Sequence, residues 1–152
     1  MEAITYFKLQ AKNLFRDYKT QYVSEVYEDG GELYDYKPRY FDVNGIVVDF
    51  DLDEENFTLM KAQHVIAYMV GFNKWTDLLK ASKPKLELAK LLFENQDKVY
   101  LVDWEDYIDS IEDNSGETLT PESELEIFKQ VALNWEASNN PFPDYRFNKG
   151  KG

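Results

Sequence analysis

Apolar residues recur at three- and four-residue steps in six stretches of this chain, and that period commits most of it to helices packed through one face. Ile4, Phe7, Ala11, Leu14, Phe15, Tyr18 and Tyr22 define the first stretch. The step matches 3.6 residues per turn, so these side chains share one side of a helix. A second helix is expected over residues 58–70, with Asp53 or Asn56 as its cap and Gly71 as its stop. Asn73 is expected to cap a short helix through Trp75, Leu78 and Leu79. Pro84 suits the first turn of the next, which carries Leu86, Ala89, Leu92 and Phe93. Residues 99–102 read as one short strand, after which Asp103 can cap a helix bearing Trp104, Tyr107, Ile108 and Ile111. Asn114-Ser115-Gly116 breaks it, and Thr120-Pro121 opens a last helix with Leu125, Phe128, Ala132 and Trp135 on its face.

Residues 23–57 have a different character. Asp29-Gly30-Gly31 is a turn signal, Pro38 punctuates, and Asn44-Gly45 lies between two extended runs. Val48, Phe50 and Leu52 alternate with Asp49, Asp51 and Asp53, the period of a half-buried strand. The expected fold is therefore a single α+β domain, mainly α. It has five or six helices and a small antiparallel hairpin near residues 33–52, spans residues 1–147, and ends in a flexible basic tail at 148–152. A turn-rich run from Ser138, with Pro141, Phe142, Pro143, Tyr145 and Phe147, is expected to pack back until about residue 147.

The chain has 152 residues, which suits one core. Aromatic content of 16% argues against disorder, because disordered chains of such charge are poor in aromatic residues. Cysteine is absent, which removes disulfides, thiolate zinc sites and thiol nucleophiles together and fits a reducing cytoplasm. No stretch approaches the ~20 apolar residues of a membrane span. The N-terminus shows no basic run followed by an apolar one, so a cytoplasmic location is expected.

Charge is segregated. Residues 23–57 hold 11 acids against 2 bases, and residues 97–127 hold 11 acids against 1 base, within a net charge of −12. Such a field disfavours nucleic acid and anionic membranes and favours a basic protein partner. On the first helix Lys8, Lys12, Arg16 and Lys19 form a basic stripe, expected to be a solvated face.

No constellation names a reaction. Asp49, Asp51 and Asp53 resemble the start of a calcium loop, but its sixth and twelfth positions hold Glu54 and Met60 instead of Gly and Glu. His64 is the single histidine and falls within a helix, where a packed or capping role is expected. No serine lies in a G-x-S-x-G elbow, and no phosphate or dinucleotide loop is present. Asp103, Glu105, Asp106 and Asp109 crowd one helix at spacings where like charges repel. Tyr18, Tyr22, Tyr27, Tyr34, Tyr36 and Tyr40 fall among acids, and tyrosine favours interfaces because it joins apolar area to a polar tip.

Ala62, Gln63, Ile66, Ala67, Gly71, Phe72, Trp75 and Leu78 follow the pattern A-Q-x-x-I-A-x-x-x-G-F-x-x-W-x-x-L. Residues 61–79 thereby resemble a short helix–turn–helix module of bacterial proteins with glyoxalase-related or ankyrin-repeat regions. The resemblance implies local structure and carries no catalytic residue. The whole chain resembles a bacterial protein.

These features lead us to expect a non-catalytic acidic module of the immunity-protein or antitoxin kind, with no metal and no cofactor. The partner would meet Tyr34, Tyr36, Asp49, Asp51, Asp53, Asp103, Glu105, Asp106 and Asp109. The alternatives are a small enzyme using acids and His64 with a divalent ion, and a DNA mimic. A Tyr-rich apolar face could also serve a homo-oligomer.

Overall fold

Helical period translates into seven α-helices among the described residues, which in this computed structural model are 1–135 and 144–147. They are α1 (Ala3–Tyr18), α2 (Val43–Asp49), α3 (Leu59–Met69), α4 (Trp75–Lys80), α5 (Lys83–Glu94), α6 (Leu101–Ser115) and α7 (Pro121–Gln130). A 3₁₀ turn, Ala132–Asn134, follows α7, and one antiparallel pair, β1 (Tyr22–Val26) and β2 (Glu32–Asp35), separates α1 from α2. The protein is α+β and mainly α, and no helix is long and apolar enough to cross a membrane among the described residues. The expected tail at 148–152, and Ser138, Pro141, Phe142 and Pro143, lie outside the described residues.

The core forms where α1 packs on α3 and α5, and α5 on α7. Phe7, Ala11 and Leu14 of α1 are fully buried, as are Ala62, Ile66 and Ala67 of α3. Phe93 of α5 meets Tyr6, Phe7 and Phe41 edge-on, with ring centroids 5.8, 6.1 and 6.2 Å away. Such edge-to-face contacts set a ring's positive rim against a neighbour's negative face. Trp104 joins α6 to α7 in the same way, 5.0 Å from Phe128.

Caps follow chemistry more closely than position. Thr58, one residue before α3, accepts from the Lys61 N–H, so neither Asp53 nor Asn56 serves as its cap. Ser82 and Thr120 cap α5 and α7, each with proline in the first turn. Residues 99–102 form no strand: Leu101 already starts α6, which places Asp103 in the first turn instead of at the cap. There a carboxylate still favours the positive end of the helix dipole.

The hairpin lies earlier in the chain than the Asn44-Gly45 signal suggests. Asp42 caps α2 by accepting the Gly45 N–H at 3.1 Å, and the Asn44 amide donates to Asp35 at 2.9 Å. Both turn-forming residues are thus used to start a helix. Val43 and Ile46, three apart, turn inward. The apparent alternation of Val48, Phe50 and Leu52 arises at a helix end, where Asp51 takes a left-handed φ of 51° and the Leu52 N–H returns to the Val47 carbonyl at 3.0 Å.

The actual hairpin turns at Asp29-Gly30-Gly31. The Tyr27 N–H donates to the Gly31 carbonyl at 2.7 Å, and the Gly30 N–H donates to the Tyr27 carbonyl at 3.0 Å. Gly30 has φ 89°, the left-handed residue that completes a three-residue connection. Pairing runs Tyr22↔Asp35, Val23↔Tyr34, Glu25↔Leu33 and Val26↔Glu32, with a bulge between Val23 and Glu25.

Candidate functional site

Every residue of β1 is exposed, and so is the turn that follows it. A two-stranded ribbon is marginal in water unless something packs against it, so its base must be held. Four side chains do this. Gln21 Nε2 donates to the Tyr36 hydroxyl at 2.9 Å and to the Glu54 carbonyl at 3.0 Å. The Tyr36 hydroxyl donates to the Glu54 carboxylate at 2.9 Å, and the Tyr18 hydroxyl donates to the Glu54 carbonyl. Farther out, the Tyr34 hydroxyl reaches Glu55 at 3.2 Å. Desolvation, then the Glu32 and Glu55 carboxylates, pushes the Tyr34 phenol up to about 12. Tyr36, buried beside Glu54, is raised further.

These contacts separate the expected partner-facing residues into two kinds. Tyr36 is 5% exposed and serves as an anchor, leaving Tyr34 half-exposed beside it. Asp53 accepts from the Glu55 N–H at 3.0 Å and from the Asn56 amide at 2.7 Å, which hold its carboxyl below the ordinary value. Asp49 accepts the Tyr145 hydroxyl at 2.6 Å. Asp51 forms the left-handed turn at the end of α2. Asp49 therefore holds residues 144–147 through Tyr145, and Asp53 organises the chain around the hairpin base. Gln21, Glu54 and Glu55 complete that arrangement, and periodicity gave no signal for them because they lie at element boundaries.

The second group stands on α6, which carries Asp103, Glu105, Asp106, Asp109, Glu112 and Asp113 and no base. Trp104 and Ile108 turn inward, so Asp103, Asp106 and Asp109 are left in solvent, while Glu105, exposed along its stem, sets its carboxylate beside Gly71. None of them, and no acid of the hairpin, forms an ion pair among the described residues; Arg146 pairs instead with Asp97 and Asp144. Desolvation first, then repulsion from Asp109 and Asp106, raises the Glu105 carboxyl. Desolvation and Glu112 raise Glu124, against an opposing effect of Lys85.

The two acid-rich segments approach each other through tyrosines. Tyr145 bonds Asp49 and lies within electrostatic reach of Tyr100, whose phenol is raised by desolvation and then by Asp103 and Glu105. Its backbone is fixed by the Asp42 N–H, which donates to the Tyr145 carbonyl at 2.8 Å, and the Phe147 N–H returns to Tyr40 at 2.8 Å. Residues 144–147 thus pack back onto the chain before α2.

A pH dependence follows from these shifts. Glu105 and Glu124 hold protons more tightly folded than unfolded, so their contribution to stability is full below the ordinary value of 4.5. It is lost as pH rises through their higher folded values. Asp35 and Asp53 act oppositely: their stabilisation is present above the ordinary 3.8 and is lost as pH falls through their lowered values. Tm is therefore expected to rise as pH is lowered through the raised values of Glu105 and Glu124 toward 4.5, and to fall once pH drops below 3.8. Glu105→Gln should flatten the first limb in a thermal unfolding series; an unchanged slope would remove Glu105 as its source.

His64 faces the neighbouring helix. Its Nδ1 accepts the Trp75 N–H at 3.1 Å, capping α4 where neither Asn73 nor the N-cap Lys74 does so. That acceptor role places the ring proton on Nε2. The ring stacks near Tyr68 at 6.5 Å, and Gly71, at φ 94°, turns the chain between α3 and α4. Lys8, Lys12, Arg16 and Lys19 are exposed along α1, with Lys19 over the Phe15 ring. An apolar crevice bordered by Leu14, Val43, Ile46, Leu52 and Phe57 has no room for a water molecule. No three acidic or histidine side chains converge as metal ligands among the described residues. No protein family model, curated protein or solved structure matches the chain.

Proposed function

We propose that the protein is a non-catalytic binding module for a basic protein partner, a bacterial cytosolic protein of the immunity-protein or antitoxin kind. The exposed hairpin carries this reading. Residues 22–35 contain Glu25, Glu28, Asp29, Glu32 and Asp35 with no Lys or Arg, and they display Tyr22 and Tyr27 to solvent. An acidic surface with aromatic anchors suits a cationic partner: charge accelerates the encounter, and rings supply buried area once docked. The α6 acids extend the same field. In this reading α3, Gly71 and α4 form a structural unit of the helix–turn–helix type, outside the binding surface.

The test is capture of partners from a bacterial lysate at low and high salt, followed by association kinetics with the recovered protein. Glu25→Lys with Glu32→Lys, and separately Asp106→Lys with Asp109→Lys, should each lower kon by about tenfold or more at low salt. The fold should survive, because all four side chains stand at the surface. An unchanged kon in both double variants would refute the reading.

A further inference from the structure

We infer that the free edge of β1 is a strand-pairing site, and that it takes an extended segment of the basic partner in which basic and apolar residues alternate. This rests on the reading above and specifies its mode. The Tyr27 N–H bonds Gly31, so that pair is hydrogen-bonded, and the next pair, Val26↔Glu32, is not. In an antiparallel ladder the backbone groups of a non-bonded pair point outward. The Val26 N–H and C=O therefore face away from β2, and the same alternation, carried across the bulge, turns Val23 outward too.

β2 is the tethered strand, through Tyr34 to Glu55 and through Asp35 to Asn44. Among the described residues β1 has no such backbone tether: Val23 and Val26 are 44 and 64% exposed, and Tyr22, with the Lys37 ammonium over its ring, is still 42% exposed. An open edge of this kind is a template for another strand. The pairing also sorts side chains by face. Tyr22, Glu25 and Tyr27 share one face, and Val23 and Val26 share the other, as their partners across the ladder require. A strand added beside β1 would thus meet carboxylate and tyrosines on one side and valines on the other. Lysine or arginine on the first side and an aliphatic residue on the second satisfy both.

The same charges argue against a second copy as occupant. Two hairpins joined through their β1 edges would bring together two segments of five acids each, Glu25 on the edge strand among them, with no Lys or Arg in residues 22–35 of either copy. That accumulated like charge opposes the pairing.

The experiment is a titration of the full chain, followed by amide NMR, with two synthetic peptides of equal charge. One alternates Lys and Val; the other alternates Lys and Pro and cannot pair. The Lys-Val peptide should bind at low salt and protect the Val23 and Val26 amides from exchange. The Lys-Pro peptide should bind about tenfold more weakly or worse, as should the Lys-Val peptide to Val26→Pro. That substitution removes an outward donor and leaves the β1–β2 ladder its bonds. If it nevertheless disturbs the hairpin, a Lys-Val peptide N-methylated along its pairing edge makes the same test from the ligand side. Equal binding of both peptides would overturn strand pairing while leaving an acidic binder in place. Failure of both to bind would overturn the inference and the reading beneath it. A dimer in sedimentation that Val26→Pro dissociates would assign the edge to a second copy and overturn the inference alone.

Discussion

Asp17→Ala is expected to destabilise the protein by about 3–5 kcal/mol, a cost usually reserved for deletion of a buried charge partner or a large core side chain. Asp17 is 2% exposed at the end of α1, and its carboxylate accepts three backbone N–H groups. Those donors are Arg39 at 3.0 Å, Tyr40 at 2.7 Å and Phe41 at 2.8 Å. Three consecutive N–H groups pointing at one carboxylate form a small anion nest, built from the chain that leads out of the hairpin. Alanine leaves those donors unpaired, at about 1–3 kcal/mol for each that water cannot reach. Asp17→Asn keeps the volume and one acceptor oxygen but turns an amide donor toward an N–H. It should cost about 1–3 kcal/mol, less than alanine, because at least one bond is lost but the cavity stays filled. Urea unfolding of both variants gives the ranking. Amide exchange at residues 39–41 locates it: those amides should lose protection before the core of α1 and α3 does. Equal stability of wild type and Asp17→Ala would mean that the clamp contributes nothing.

Asp17 also shows where sequence reading stops. It lies three residues after Leu14 and ten after Phe7, on the buried side of α1, and a charged residue at an inward position is a sign of a built contact. The partners of that contact are backbone groups 22 to 24 residues away, which carry no side-chain signature. Helices with a proline or a glycine at their ends were legible, because each of those residues acts within one turn; α2, capped by Asp42 alone, was not. The Asn44-Gly45 pair was misleading for a physical reason. Its turn preference is local, and Asp42 and Asp35 offered both residues better hydrogen bonds than a hairpin would. Asp29-Gly30-Gly31 was legible as a turn, but not the strands beside it, since a ribbon exposed on both faces shows no alternation between core and solvent.

The acidic surface was legible as charge and not as geometry. Composition reveals that residues 97–127 are acidic, and Asp103 and Glu105 follow Tyr100 closely along the chain; only the fold puts Tyr100 near the Tyr145 that holds Asp49. That arrangement concentrates negative field instead of dispersing it. The folded state is held together against its own repulsion, which ties binding to stability: a cationic partner, protons or salt should each relieve the same strain.

Phe93→Ala is expected to cost about 3–5 kcal/mol, through lost burial and a cavity at the meeting point of three segments. The ring is 1% exposed and touches Tyr6 and Phe7 of α1 and Phe41 of the segment before α2. Phe93→Leu keeps most of the volume and loses the edge-to-face geometry, so about 1–2 kcal/mol is expected. Phe41 makes the comparison more than a core deletion. Its ring packs on Phe93 while its N–H bonds Asp17, so the two sites share one residue. Combined in one chain, Asp17→Asn and Phe93→Leu should cost less than the total of the single changes. Once either support is loosened, Phe41 can shift and the other support loses part of its value. The expected coupling is about 0.5–1.5 kcal/mol, measurable by a double-mutant cycle in urea. Strict additivity would show that the nest at Asp17 and the aromatic cluster hold Phe41 independently. A clear coupling would make that residue the joint through which α1 and α5 fix the base of the hairpin.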